Sequence, residues 1–104
     1  MHGRMAKYTV SGDVHELART AEDGMLPIFK SQPGFKASSL MESGNEIISF
    51  SAWESAEDAE AASKAAASWI AENLAGQIAL EEAGIGEILF STTLGVSTRA
   101  GATA

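Results

Sequence analysis

The chain has 104 residues, a length that fits one domain, and 45% of them are hydrophobic, as in ordinary globular proteins. Fourteen acidic residues against seven basic ones give a formal net charge of -7. The basic stripe that neutralises phosphates is therefore lacking, which argues against nucleic acid and an anionic membrane surface as partners. Without a cysteine, disulfides, thiol catalysis, iron–sulfur clusters and thiolate zinc sites are excluded.

No stretch reaches the roughly 18 apolar residues of a membrane span. The opening Met1-His2-Gly3-Arg4-Met5 lacks the apolar core of a secretory leader, so a cytoplasmic location is expected. Residues 1–4 read as a flexible tail, with Met5 the functional beginning.

Ala6 to Val10 alternates and is rich in strand formers, which predicts the first strand. Ser11-Gly12 breaks it. Asp13 and Glu16 form a capping-box pattern, and Val14, Leu17, Ala18 and Ala21 continue at helical spacing. Gly24 and Pro27 interrupt that spacing, so a kink or break is expected around residues 23–26. Gln32-Pro33-Gly34 ends the segment.

Residues 35–42 read as a second strand, Gly44-Asn45 as a tight hairpin turn, and Glu46 to Trp53 as an antiparallel third strand. On the third strand Ile48, Phe50 and Ala52 point one way, and Ile47, Ser49, Ser51 and Trp53 the other. Neither face is strongly charged, so both are expected to be covered. Ser55 then caps an alanine-rich helix over residues 56–75, with Glu57, Asp58 and Glu60 near its positive end and Gly76 closing it. Residues 77–84 read as a connector and Gly84-Ile85-Gly86 as a turn. Residues 87–93 read as the fourth strand, with Ile88, Phe90 and Thr92 on one face, and the tail at 95–104 as flexible.

The order β-α-β-β-α-β predicts an α+β, ferredoxin-like fold, a four-stranded antiparallel sheet with both helices on one face, as a single domain over residues 5–94. That fold serves many activities and decides none. The third strand carries no basic residue beside its aromatics, against RNA binding.

Five stretches carry a family resemblance: Gln32-Pro33-Gly34-Phe35, Ile47 to Ser51, Trp53 to Glu57, Ala66 to Leu74, and Gly86-Glu87. Over Met5 to Thr93 the chain resembles a bacterial group within the antibiotic biosynthesis monooxygenase-like superfamily, much of which has no assigned chemistry. The resemblance implies a homodimer in which two sheets join face to face into an α/β barrel. It also implies oxidoreductase chemistry, in which molecular oxygen attacks a small apolar, aromatic or polyketide-like substrate without metal or flavin, so no cofactor is expected. The family's site lies between sheet and helices and uses a helix tryptophan with a nearby asparagine and tyrosines. Trp69 stands at the tryptophan's place, but Ala65 occupies the asparagine's, and Tyr8 is the sole tyrosine. Haem degradation would need a histidine on the second helix, and His2 and His15 lie elsewhere.

Candidate lining residues are therefore Trp69, Tyr8, Phe29, Phe50 and Phe90, with Trp53 the candidate dimer contact. Each has a plainer reading. Trp69 can fill space left by alanines, the phenylalanines can be core, and Tyr8 can pack with its hydroxyl at the edge. His15 reads as a solvated residue of the first helical turn, and no catalytic residue is assigned. Glu54, Glu57, Asp58 and Glu60 read as a dipole-compensating face and not as a metal cluster. A cofactor-independent monooxygenase and a non-catalytic ligand-binding or interaction module on the same dimer both remain open.

Overall fold

The computed structural model describes residues 1–99. Its elements are β1 (His2–Val10), α1 (Val14–Ser31), β2 (Phe35–Ser43), β3 (Glu46–Trp53), α2 (Ala56–Asn73) and β4 (Ile78–Glu87). The strands form one antiparallel sheet in the order β2-β3-β1-β4. This is the ferredoxin-like arrangement that the element order implies.

Local chemistry fixes the helix starts. Asp13 Oδ1 accepts from the amides of His15 at 2.9 Å and Glu16 at 3.2 Å. Ser55 Oγ accepts from the Asp58 amide at 3.2 Å. Each cap satisfies donors that the first turn leaves without an intrahelical partner. At the hairpin Ser43 pairs with Glu46, and Gly44 takes the positive φ of 65° that the two-residue turn needs.

The structure departs from the sequence reading in four places. β1 begins at His2, where a tail was expected at residues 1–4, and Gly3 and Arg4 are buried. Arg4, Ala6, Tyr8 and Val10 share one phase, so the alternation of the first strand simply extends backward. The expected break near Gly24 and Pro27 does not occur: α1 is continuous to Ser31, with Met25 and Phe29 both packed into the core. Packing of this kind outweighs the amide lost at Pro27.

The fourth strand also lies earlier than expected. Residues 78–87, read as connector and turn, pair with β1 from Val10–Ile78 to His2–Glu87, with an irregularity between Lys7 and Tyr8. Gly76, at φ 79°, turns the chain directly off α2, and the Ser11 amide donates to the Gln77 carbonyl at 2.9 Å. The free edge of β1 thus takes up the first segment to leave the helix. Ile88 to Thr93, the better strand by composition, lies beyond the ladder, and Ser91 bridges Val96 instead. Of the tail expected at 95–104, residues 100–104 lie outside the described residues.

Finally, β3 exchanges the roles expected of its two faces, Phe50 as cleft lining and Trp53 as dimer contact. Ile47, Ser51 and Trp53 are buried toward the helices, while Phe50 is 40% exposed on the other side. The reason is steric. Ala59, Ala62 and Ala66 on α2 leave space that the large Trp53 indole fills. Ser51, which shares the Trp53 face, is the buried acceptor of the Trp53 Nε1–H at 2.9 Å.

Candidate ligand-binding site

Two apolar clusters lie between the sheet and the helices. One joins Ala6, Tyr8, Leu17, Ile47 and Leu74, and the other Phe29, Trp53, Ala59, Ala62 and Ala66. A cleft of about 690 Å³ draws its walls from both. α1 supplies Leu17, Ala18, Met25 and Phe29. The sheet supplies Arg4, Tyr8, Ile47 and Ser49, and α2 supplies Ala66, Trp69 and Ile70. The volume is that of a site for a small organic molecule, and the walls have the usual mix of apolar surface and a few polar groups.

Trp69 owes its place to Gly24. A Cβ at Gly24 would collide with the Trp69 ring, so the bare backbone lets α1 close against the indole. Asn73 Nδ2 donates to the Trp69 carbonyl at 2.9 Å, tying down that turn of α2. The indole N–H itself has no acceptor among the described residues, in contrast to the bonded Trp53.

Arg4 was missed by reading the first residues as a tail. Its side chain borders the cleft from β1 at 5% exposure. Nε donates to Ser63 Oγ at 2.6 Å, and the guanidinium carbon lies 6.0 Å from the Phe29 ring centroid. Among the described residues, ion pairs join Lys7 to Glu46 and Lys36 to Glu54, His15 lies near Glu42, and none of these contacts involves Arg4. The signal that could have found it is the alternation of Tyr8 and Ala6, carried two residues further back.

The outer rim carries His15, Arg19, Glu22 and Glu42, all exposed. His15 Nε2 lies 4.0 Å from Glu42 Oε1, which spans the mouth from α1 to β2. No group of three or more metal-ligating side chains occurs among the described residues.

Tyr8, Phe29 and Trp69 thus come together on one cleft. Phe50 and Phe90 do not join them. Phe50 lies on the far side of the sheet, its ring against the bare backbone of Gly3, and Phe90 is 71% exposed beyond β4. The misplacement of both follows from the inverted phase of β3 and the shifted fourth strand. Trp53 does not face outward toward a partner. It is wholly enclosed by its own chain, edge-on to Phe29 and Phe35 with ring centroids 5.4 Å away in each case.

No family model matches the chain, and no curated protein does. Solved structures do. SnoaB from Streptomyces nogalater, a cofactor-independent oxygenase, superposes as a variant with a TM-score of 0.68 at 18% identity, covering 88% of this chain and 95% of that one. A monooxygenase from the gene ActVA-Orf6 of Streptomyces coelicolor, solved with the ligand nanaomycin D, gives 0.62 at 20% identity, covering 86% and 92%. MupZ from Pseudomonas fluorescens gives 0.68 at 10% identity over 81% of this chain, which spans 65% of the MupZ chain. At such identities the likeness speaks for the fold. The chain therefore has the fold of the antibiotic biosynthesis monooxygenase-like proteins.

Proposed function

We propose that this chain binds a small aromatic or polyketide-like molecule in the cleft between its sheet and helices, and oxidises it with molecular oxygen without a cofactor of its own. The observation that carries this reading is the unpaired Trp69 indole N–H bordering a cleft of about 690 Å³ that Tyr8 and Phe29 also line. A substrate that forms a stabilised carbanion can pass an electron to oxygen directly. The protein's share is then to desolvate it, orient it and donate a hydrogen bond to the oxygen where charge collects. Trp69 or Tyr8 is the donor in this scheme.

The reading includes a homodimer. The far side of the sheet bears Met5, Ile48 and Phe50, with Met41 57% exposed beside them. That apolar surface suits the sheet of a second copy.

A specific observation favours a second reading, a binding module without catalysis. The carboxylates and the imidazole that border the cleft, Glu22, Glu42 and His15, sit at its exposed rim, and Ala65 stands where the family has an asparagine. No base is thereby placed deep inside.

Ligand screening by thermal shift, followed by oxygen-uptake measurement on the hits, separates the two. Oxygen consumption with a quinol-type hit, reduced about tenfold or more in Trp69→Phe, is expected for the oxygenase. Tight binding without oxygen uptake supports the module. Turnover unchanged in Trp69→Phe contradicts the role given to the indole.

A further inference from the structure

We propose that Arg4 and the cleft it borders form a site for an aromatic carboxylate, with the carboxylate gripped by the two terminal nitrogens of the guanidinium. The proposal rests on the reading of the cleft as a ligand site and names the class of molecule it takes.

Arg4 is 5% exposed, and no carboxylate pairs with it among the described residues. Enclosing most of a charged side chain with no carboxylate beside it is costly, and a guanidinium does not escape that cost by shedding its proton. What surrounds Arg4 compensates only in part. Nε is taken by Ser63 Oγ at 2.6 Å, and the Phe29 ring lies 6.0 Å from the guanidinium carbon. The four N–H groups on the terminal nitrogens have no protein acceptor among the described residues, and these nitrogens keep a narrow opening to solvent. A methionine or leucine would fill the same place beside Phe29 at less cost, so packing alone does not account for a charge here.

The geometry selects the ligand's headgroup. With Nε occupied, the terminal nitrogens remain as an end-on fork, which matches the two oxygens of a carboxylate and exceeds what one phenolate oxygen can use. The cleft selects the rest of the ligand. Tyr8 lies four residues along the same face of β1, roughly 13 Å away at strand spacing, and borders the same cleft. A flat ring system fits the cleft between them, with Phe29 and Trp69 among its walls. The acidic residues of the rim, Glu22 and Glu42, are exposed, where water screens them, and His15 and Arg19 stand beside them.

Calorimetric titration with 2-naphthoate and its neutral isostere 2-naphthamide tests the proposal. Wild-type protein is expected to bind 2-naphthoate about tenfold or more tightly than the amide. Arg4→Gln should remove that preference and keep amide binding, whereas Lys30→Gln, at an exposed cation outside the cleft, should leave it intact. In wild-type protein, with no variant needed, the Arg4 guanidinium NMR signals should shift with the acid and not with the amide. Equal affinities, a preference that survives Arg4→Gln, or an unperturbed Arg4 signal at saturation would overturn the proposal. If neither probe binds, the ligand-site reading fails and this proposal with it. 2-Naphthoate forms no stabilised carbanion, so a preference for it upholds the carboxylate site whatever the oxygen uptake, and the oxygenase reading stands or falls with the quinol-type hits.

Discussion

Trp53 donates its indole N–H to buried Ser51 and touches Phe29 and Phe35, while Trp69 is half-buried with its N–H unpaired beside the cleft. The two side chains should respond differently to truncation. Trp53→Ala removes a fully enclosed ring and should cost about 3–5 kcal/mol of unfolding free energy, measured by denaturant titration. Trp69→Ala should cost clearly less and should instead abolish ligand binding. Gly24→Ala sets two effects against each other. Alanine gains about 1 kcal/mol in helix propensity, but its methyl collides with the Trp69 ring, and overpacking costs about 1–3 kcal/mol. The collision should win, with a lower melting temperature and weaker binding of any cleft ligand. A melting temperature raised by this substitution would show that the indole moves aside freely.

At the level of elements, the strand and helix pattern was legible where local chemistry decides it. Both helix caps, the Gly44-Asn45 turn and the limits of β3 match the sequence expectation. β4 was not legible, because Ala79, Glu81, Glu82, Gly84 and Gly86 are poor strand formers by intrinsic preference. They form a strand because β1 offers an unpaired edge, which is a tertiary fact. The phase of β3 was hidden for a similar reason: Ser51 counts as polar in the alternation and becomes a core residue only when Trp53 turns its N–H upon it. β4 also brings Glu81 into a carboxyl–carboxyl hydrogen bond with Glu46 beside Lys7. That hydrogen bond raises the Glu81 carboxyl above the ordinary glutamate range, helped by desolvation and the charge of Glu46. The same bond, together with Lys7, holds Glu46 below that range. The stabilising part of the raised group is present at low pH and lost as pH rises through its folded-state value; for Glu46 the sense is reversed. Glu81→Gln keeps a donor toward Glu46 at every pH. Its melting temperature should exceed that of the wild type at about pH 7, and the gain should vanish at about pH 4. A gain of equal size at both would rule out the shared proton.

For the whole molecule, one face of the sheet lies beneath the helices and the other carries exposed apolar side chains, Phe50 and Met41 among them. Pairing of two copies through that face should give twice the chain mass by sedimentation at micromolar concentration, and Phe50→Lys should yield monomers without lowering the helix content. A wild-type monomer would contradict the dimer and leave the cleft untouched, since the cleft lies on the other side of the sheet. The cleft was half legible. Tyr8, Phe29 and Trp69 were named from the residues and the resemblance, but Arg4 required the strand to be followed to its true start. The central claim, that a small aromatic molecule sits against Trp69, is tested most directly by the two indole N–H signals in a proton–nitrogen NMR spectrum, assigned with Trp69→Phe, during titration with 2-naphthoate. The Trp69 signal should move to saturation while that of Trp53, bonded to Ser51, stays in place. Saturating probe that leaves the Trp69 signal unmoved would contradict the account.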